Sequence, residues 1–221
     1  MTTSAAREVR IGAVIGNAHV FDWKRGAGVD EDALRTQAEQ LFALLAERQV
    51  DYLLVGGIAL LSYVEGRNTE DIDLLIAPEM LGRLPELEVK RRDADFAAAT
   101  FAGLDVDFLL TTNRFFEHVR RTHATERPFA ERKIPCASPE GLFLLKLYAL
   151  PSLYRQGRLP RAALYEADLL ALLVAFPLPK EALLAELAPF VSTTDLAELT
   201  KLVGEISERI AGHRFGSEAR P

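Results

Sequence analysis

A single cysteine, Cys136, occurs in 221 residues, so no internal disulfide can form, and a reducing compartment suits the chain. No apolar run approaches the ~18 residues that a membrane span needs. The longest uncharged apolar stretch near the C-terminus, residues 169–176, is too short. The opening MTTSAAREVR has no apolar core preceded by basic residues, so we expect no signal peptide and a cytoplasmic location. Positive charge is not in excess: 26 Lys and Arg stand against 32 Asp and Glu, a formal net charge of −6. A uniformly basic nucleic-acid coat is therefore excluded, although a local basic face is not. There is no Walker A motif and no nucleophile elbow. The 4 histidines have no metal-ligand spacing with each other or with Cys136, so a zinc site is not expected.

What is present is an ordinary globular mix, 49% apolar and 26% charged, long enough to bury one core. The first half mixes short β-like runs with helices and the second half is mostly helical. We expect an α+β fold: a mixed sheet flanked by helices over residues 1–137, then a helical bundle over 138–221. Residues 30–48 read as a helix, with Asp30 as N-cap and Leu34, Ala38, Leu41, Phe42 and Leu45 as its apolar stripe. Residues 52–55 read as a buried strand ended by Gly56-Gly57, 58–64 as a helix, and 71–76 as a strand closed by Pro78. A short helix is expected near 80–84, two or three antiparallel strands over 87–110, a basic helix over 114–123 and a short strand at 134–136. Ser138-Pro139 opens a helix over 139–149, followed by a loop with Pro151, Gly157 and Pro160. Helices near 161–175, 180–188 and 193–211 complete the chain.

The segment from Gly56 to Ile76 carries the chemistry. Asp71 and Asp73 are two apart on an expected strand, so both carboxylates project from one face. Two like charges this close repel and resist burial, and a cation between them relieves both. Mg²⁺ suits the place, a hard ion held by carboxylates and substrate phosphates. Just upstream, the Gly56-Gly57 turn lets a phosphate approach the backbone at a helix start. A third carboxylate is expected on a neighbouring strand: Asp107 is the better candidate, and Asp105, on the same face by period-2 counting, the runner-up. Three carboxylates around two Mg²⁺ ions suit in-line phosphoryl transfer. The plainer alternative is that Asp71 and Asp73 are solvated residues of an edge strand.

The pattern G-G-x-A, then R-x-T-x-D-I-D-L with Arg67, Thr69, Asp71 and Asp73, resembles the nucleotidyltransferase superfamily that shares the DNA polymerase β palm. Within it the chain looks most like the AbiEii/MenT-type toxin nucleotidyltransferases and their relatives. The resemblance spans roughly residues 35–175. It implies transfer of a nucleoside monophosphate from an NTP to an acceptor hydroxyl. In it, Asp71, Asp73 and Asp107 hold Mg²⁺, and Gly56, Gly57, Arg67 and Thr69 lie at the nucleotide. The acceptor it implies is RNA, the tRNA 3′ end, and the setting a toxin–antitoxin pair with a cognate antitoxin protein. Acceptors of other kinds, a small molecule such as an antibiotic or a protein hydroxyl, remain open, as does a binding-only protein.

A second resemblance lies downstream. Residues 137–149 are similar to the superfamily's helix with an inward lysine, here Lys146. The expected partner is an aspartate on the next helix, here Asp168, with Leu164 and Tyr165 where relatives tend to carry Lys-Asp. The resemblance implies that Lys146 meets the triphosphate and Asp168 orients it or contacts nucleotide. Independently, Lys146 is the one charge between Gly141 and Leu153, so it either snorkels to solvent or finds an anion. Arg114, Arg120, Arg121, Arg127, Arg132 and Lys133 make the one locally basic region, which suits either RNA phosphate contact or a solvated helix and loop. Arg155, Arg158 and Arg161 are open to the same two readings.

Overall fold

The computed structural model describes residues 31–64, 71–129 and 132–217. Asp30, Arg67 and Thr69 lie outside them. The chain forms two compact units, divided between Ser138 and Pro139.

The first unit is built on α1 (Glu31–Glu47), β1 (Tyr52–Val55), α2 (Gly56–Leu61) and β2 (Ile72–Ile76). A 3-10 segment (Pro78–Arg83) leads into β3 (Glu88–Arg92), β4 (Phe96–Phe101) and β5 (Leu104–Leu110). Then come α3 (Arg114–Thr122), β6 (Ala124–Phe129) and β7 (Arg132–Ala137). The seven strands form one sheet in the order β3-β4-β5-β2-β1-β7-β6. The β2/β5 and β1/β7 pairs are parallel and the others antiparallel, so the sheet is mixed. Every residue of β1 is buried, the pattern of a central strand covered on both faces. In β5 burial alternates: Leu104, Val106, Phe108 and Leu110 are buried, while Asp105 and Asp107 reach the open face.

The strand β6 was not expected. Its sequence, ATERPF, carries two charges and a proline; Ala124, Thr125 and Glu126 are exposed, and only Phe129 is buried. As the outermost strand beside β7 it needs little apolar content, and Pro128 is tolerated at an edge.

The second unit comprises α4 (Pro139–Arg155), α5 (Leu159–Ala175), α6 (Lys180–Leu187) and α7 (Thr193–Ser217). The expected break after residue 149 does not occur: α4 continues through Pro151 to Arg155. An interior proline costs about 3 kcal/mol. Leu147, Leu150 and Leu153 are buried on either side of it, and at about 1.5–3 kcal/mol for each buried side chain packing outweighs that cost. The helix stops at Gly157, whose φ of +66° suits a residue without Cβ. There Gly157 N–H donates to the Tyr154 carbonyl at 3.0 Å and Arg158 N–H to the Leu153 carbonyl at 2.9 Å, the Schellman pattern. Among the described residues no helix is long and apolar enough to cross a membrane.

Cys136, on β7 opposite Leu54 of β1, is fully buried, and burial pushes its thiol up to about 12. An unfolded thiol ionises near 9, so this contribution to stability is intact below pH 9 and is lost as pH rises from 9 toward 12. Native Cys136 is therefore expected to resist iodoacetamide at pH 8 and to react once urea unfolds the chain. Rapid labelling of the folded protein would contradict this burial.

Candidate active site

The parallel pairing of β2 with β5 places Asp73 directly opposite Asp107. Both are half-buried and share the open face of the sheet. Adjacent strands lie about 4.8 Å apart, so two carboxylates in this register can reach a single ion. Asp71 is exposed and immediately precedes β2 rather than lying within it. Of the two candidates for a third carboxylate, Asp107 is the one in register with Asp73. Asp105 is engaged by Lys90, Nζ to Oδ1 at 2.8 Å, at the exposed side of the ribbon.

Asp73 has a second task. Its Oδ2 accepts a hydrogen bond from Gly57 N–H at 3.3 Å, at the start of α2. Val55, the N-cap of that helix, supplies no side-chain acceptor, so the carboxylate takes up one of the free N–H groups there. The same closeness explains Gly56. Its φ is +67°, and a Cβ built on it would fall 1.8 Å from Asp73 Oδ2 and 2.6 Å from Asp73 Cβ. The Gly-Gly turn is thus fitted to the Asp73 carboxylate; phosphate contact through the Gly57 N–H would have to share that donor.

The far end of α2 is clamped. Arg127 Nη2 donates to the Ser62 carbonyl at 2.5 Å, and its guanidinium lies 4.3 Å from the centre of the Tyr63 ring. The Tyr63 hydroxyl donates to the Ala137 carbonyl at 2.9 Å. Arg127, which by sequence suits either RNA phosphate contact or a solvated loop, is held in this clamp, and no local signal marks it because β6 brings it to α2 over 65 residues of chain. Arg120 is likewise engaged, by Glu117 at 2.8 Å and by Asp51. The hydrogen bond from Arg120 holds the Glu117 carboxyl below its usual range. Lys133 lies 3.6 Å from Glu126, and Arg114, Arg121 and Arg132 stay exposed, so the basic region keeps fewer available cations than its sequence suggests.

In the helical unit, Lys146 Nζ lies 3.1 Å from Asp168 Oδ2, with both side chains buried. The expected partners on α4 and α5 do meet, and Lys146 does not snorkel. The ammonium also sits 3.8 Å from the centre of the Tyr165 ring. Tyr165, one of two residues that stand where relatives tend to carry Lys-Asp, thus supplies an aromatic face to the same lysine. Arg155 is held by Asp195 at 2.8 Å, whereas Arg158 and Arg161 are exposed.

No family model matches the sequence, and no curated protein matches it. Solved structures do. An antigenic nucleotidyltransferase-like protein from Paracoccidioides brasiliensis matches over 81% of this chain and 93% of its own, with 21% identity and a TM-score of 0.54. The antibiotic-resistance factor ANT(2'')-Ia matches over 84% of this chain and 97% of its own, at 15% identity and a TM-score of 0.44. A putative nucleotidyltransferase from Thermotoga maritima covers 61% of this chain and 91% of its own, at 14% identity and a TM-score of 0.41. The mixed sheet with flanking helices is a nucleotidyltransferase-like fold.

Proposed function

We propose that this chain transfers a nucleoside monophosphate from an NTP to an acceptor hydroxyl, releasing pyrophosphate. The observation that carries the reading is the direct pairing of Asp73 with Asp107 on one open face, beside a glycine turn that tolerates no side chain. Two half-buried carboxylates opposite one another are hard oxygen donors suited to Mg²⁺, with Asp71 at the strand entrance as a third. When bound, Mg²⁺ supplies charge neutralisation of the triphosphate and eases ionisation of the attacking hydroxyl. Asp107 would accept the acceptor's proton. Asp73 would hold its place through the Gly57 N–H, and the Gly56-Gly57 turn would let phosphate come close to the backbone. Arg67 and Thr69 would flank the nucleotide, as the resemblance implies. The same resemblance gives Lys146 to the triphosphate and Asp168 to its support.

The acceptor we favour is RNA, the tRNA 3′ end, with the protein acting in the cytoplasm as the toxin of a toxin–antitoxin pair. The support is the motif from Gly56 to Leu74, which looks most like that of the AbiEii/MenT-type enzymes. Incubation with Mg²⁺, total tRNA and each α-labelled NTP in turn tests this. Label on RNA from one NTP is the expected outcome. Label appearing instead on a small molecule or on protein would replace the acceptor. Mg²⁺-dependent NTP binding without pyrophosphate release would replace the enzyme by a binding protein.

A further inference from the structure

We propose that Arg127 is a positioning residue for nucleotidyl transfer: it holds the far end of α2 so that the near end keeps the Asp73 carboxylate in place. The inference rests on the transfer reading for its meaning, and on the two ends of one helix for its evidence. At the near end, Gly57 N–H donates to Asp73 Oδ2 at 3.3 Å. At the far end, Arg127 Nη2 donates at 2.5 Å to the carbonyl of Ser62, the C-cap of the helix. Between them α2 has six residues, Gly56–Leu61, about 9 Å at 1.5 Å each.

A helix this short is marginal on its own. Ile58, Ala59, Leu60 and Leu61 are buried, which fixes how deep it lies against the sheet. Apolar burial is non-directional and does not set where the first N–H groups point. Hydrogen bonds are directional, and they stand at the two ends. The far end is tied to two strands. Arg127 belongs to β6 and pairs with Ile134 of β7; its guanidinium lies 4.3 Å from the centre of the Tyr63 ring. The Tyr63 hydroxyl donates at 2.9 Å to the carbonyl of Ala137, the last residue of β7. Strand β7 in turn lies beside β1, which runs directly into α2. A guanidinium charge also suits a helix C-terminus.

The competing explanation is that Arg127 merely covers its neighbours and stabilises the fold. It accounts poorly for an arginine. The Arg127 Nε is buried without a hydrogen-bond partner among the described residues, and an unpaired buried donor is destabilising. A long apolar side chain would cover the same neighbours without that cost. What it could not do is hold the Ser62 carbonyl.

The test combines amide hydrogen exchange of Gly57, read by NMR, with single-turnover transfer from α-labelled NTP, using Mg²⁺ and the acceptor that takes label from wild type, total tRNA first. Both are measured on the full chain for wild type, Arg127→Met, Arg127→Lys and Tyr63→Phe. Exchange is expressed relative to Leu53 and Leu54 of β1, so that a loss of global stability cancels. In Arg127→Met relative exchange at Gly57 is expected to rise about tenfold, the mark of local opening. Transfer should slow about tenfold to a hundredfold, the scale of a displacement approaching 1 Å. Arg127→Lys, which keeps a donor and a cation near Tyr63, should restore part of both. Tyr63→Phe keeps the ring and loses the tie to Ala137, so it should move both in the same direction by less; it carries the test if Arg127→Met does not fold. A residue that only stabilises would raise exchange at all three amides together and leave transfer by the folded protein unchanged. That result, or Arg127→Lys no better than Arg127→Met, would overturn the proposal while transfer by wild type stands. If wild type labels no acceptor and Gly57 exchange still follows Arg127, the transfer reading falls and the link from Arg127 to Asp73 stands.

Discussion

Gly56→Ala is expected to lower nucleotidyl transfer at least a hundredfold while leaving the protein folded. The added methyl would lie 1.8 Å from Asp73 Oδ2 and 2.6 Å from its Cβ, so turning the carboxylate aside does not relieve the clash. Strand β2 or the start of α2 must move by about 1 Å, and a misplacement of that size can cost about 10²-fold in rate. A φ of +67° adds about 1–2 kcal/mol of backbone strain for any residue with a Cβ. The melting temperature should fall by roughly 2–8 °C, given about 2–4 °C per kcal/mol in a protein of this size. Gly82, which has nothing within 4 Å of an added Cβ, is the control: Gly82→Ala should leave transfer unchanged. Transfer within threefold of wild type in Gly56→Ala would show that Asp73 is not held where the reaction needs it.

Asp168→Ala should destabilise the helical unit by about 3–5 kcal/mol, because it leaves the Lys146 ammonium buried without its carboxylate. The Tyr165 ring beside Lys146 offsets only about 1–2 kcal/mol of that. Replacing both partners, Lys146→Met with Asp168→Leu, removes both desolvation penalties and should be near neutral in stability, or stabilising by about 1–4 kcal/mol. Urea unfolding followed by helical circular dichroism separates the three proteins. The double variant then isolates function from folding. If the buried lysine serves the triphosphate, the folded double variant should lose NTP affinity; unchanged affinity would make the pair a packing device alone.

The sequence carries most of the elements because their signals are local. The stripe Ala38, Leu41, Phe42 and Leu45 is buried on α1, and the alternation in Leu104–Leu110 shows directly in its burial. The departures arise where packing overrides local preference. Pro151 reads as a helix end, but the leucines around it are buried on a continuing helix. The edge strand β6 has no alternation to find, since almost none of it faces the core. The candidate site divides in the same way. The carboxylates, the Gly-Gly turn, Lys146 and Asp168 are legible as residue types at motif spacing. That Asp107 rather than Asp105 stands opposite Asp73 depends on β2 and β5 being parallel neighbours, a choice of topology that no window of sequence contains. The clamp of Arg127 on Tyr63 is likewise a product of pairing between distant segments. Tyr165 could have been suspected: an aromatic residue three before Asp168 on a helix shares its face, within reach of the same lysine.

The proposed transfer depends first on Asp73 and Asp107, paired on one face of the sheet. The most direct test is single-turnover transfer from α-labelled NTP, with Mg²⁺ and total tRNA, by wild type, Asp73→Asn, Asp107→Asn and Asp105→Asn. The first two variants are expected to stay folded and to lose about a thousandfold or more, the loss of several kcal/mol of charge stabilisation. Asp105→Asn, whose carboxylate is held by Lys90, should transfer nearly as well as wild type. Near wild-type transfer by Asp107→Asn, or a collapse confined to Asp105→Asn, would contradict that dependence.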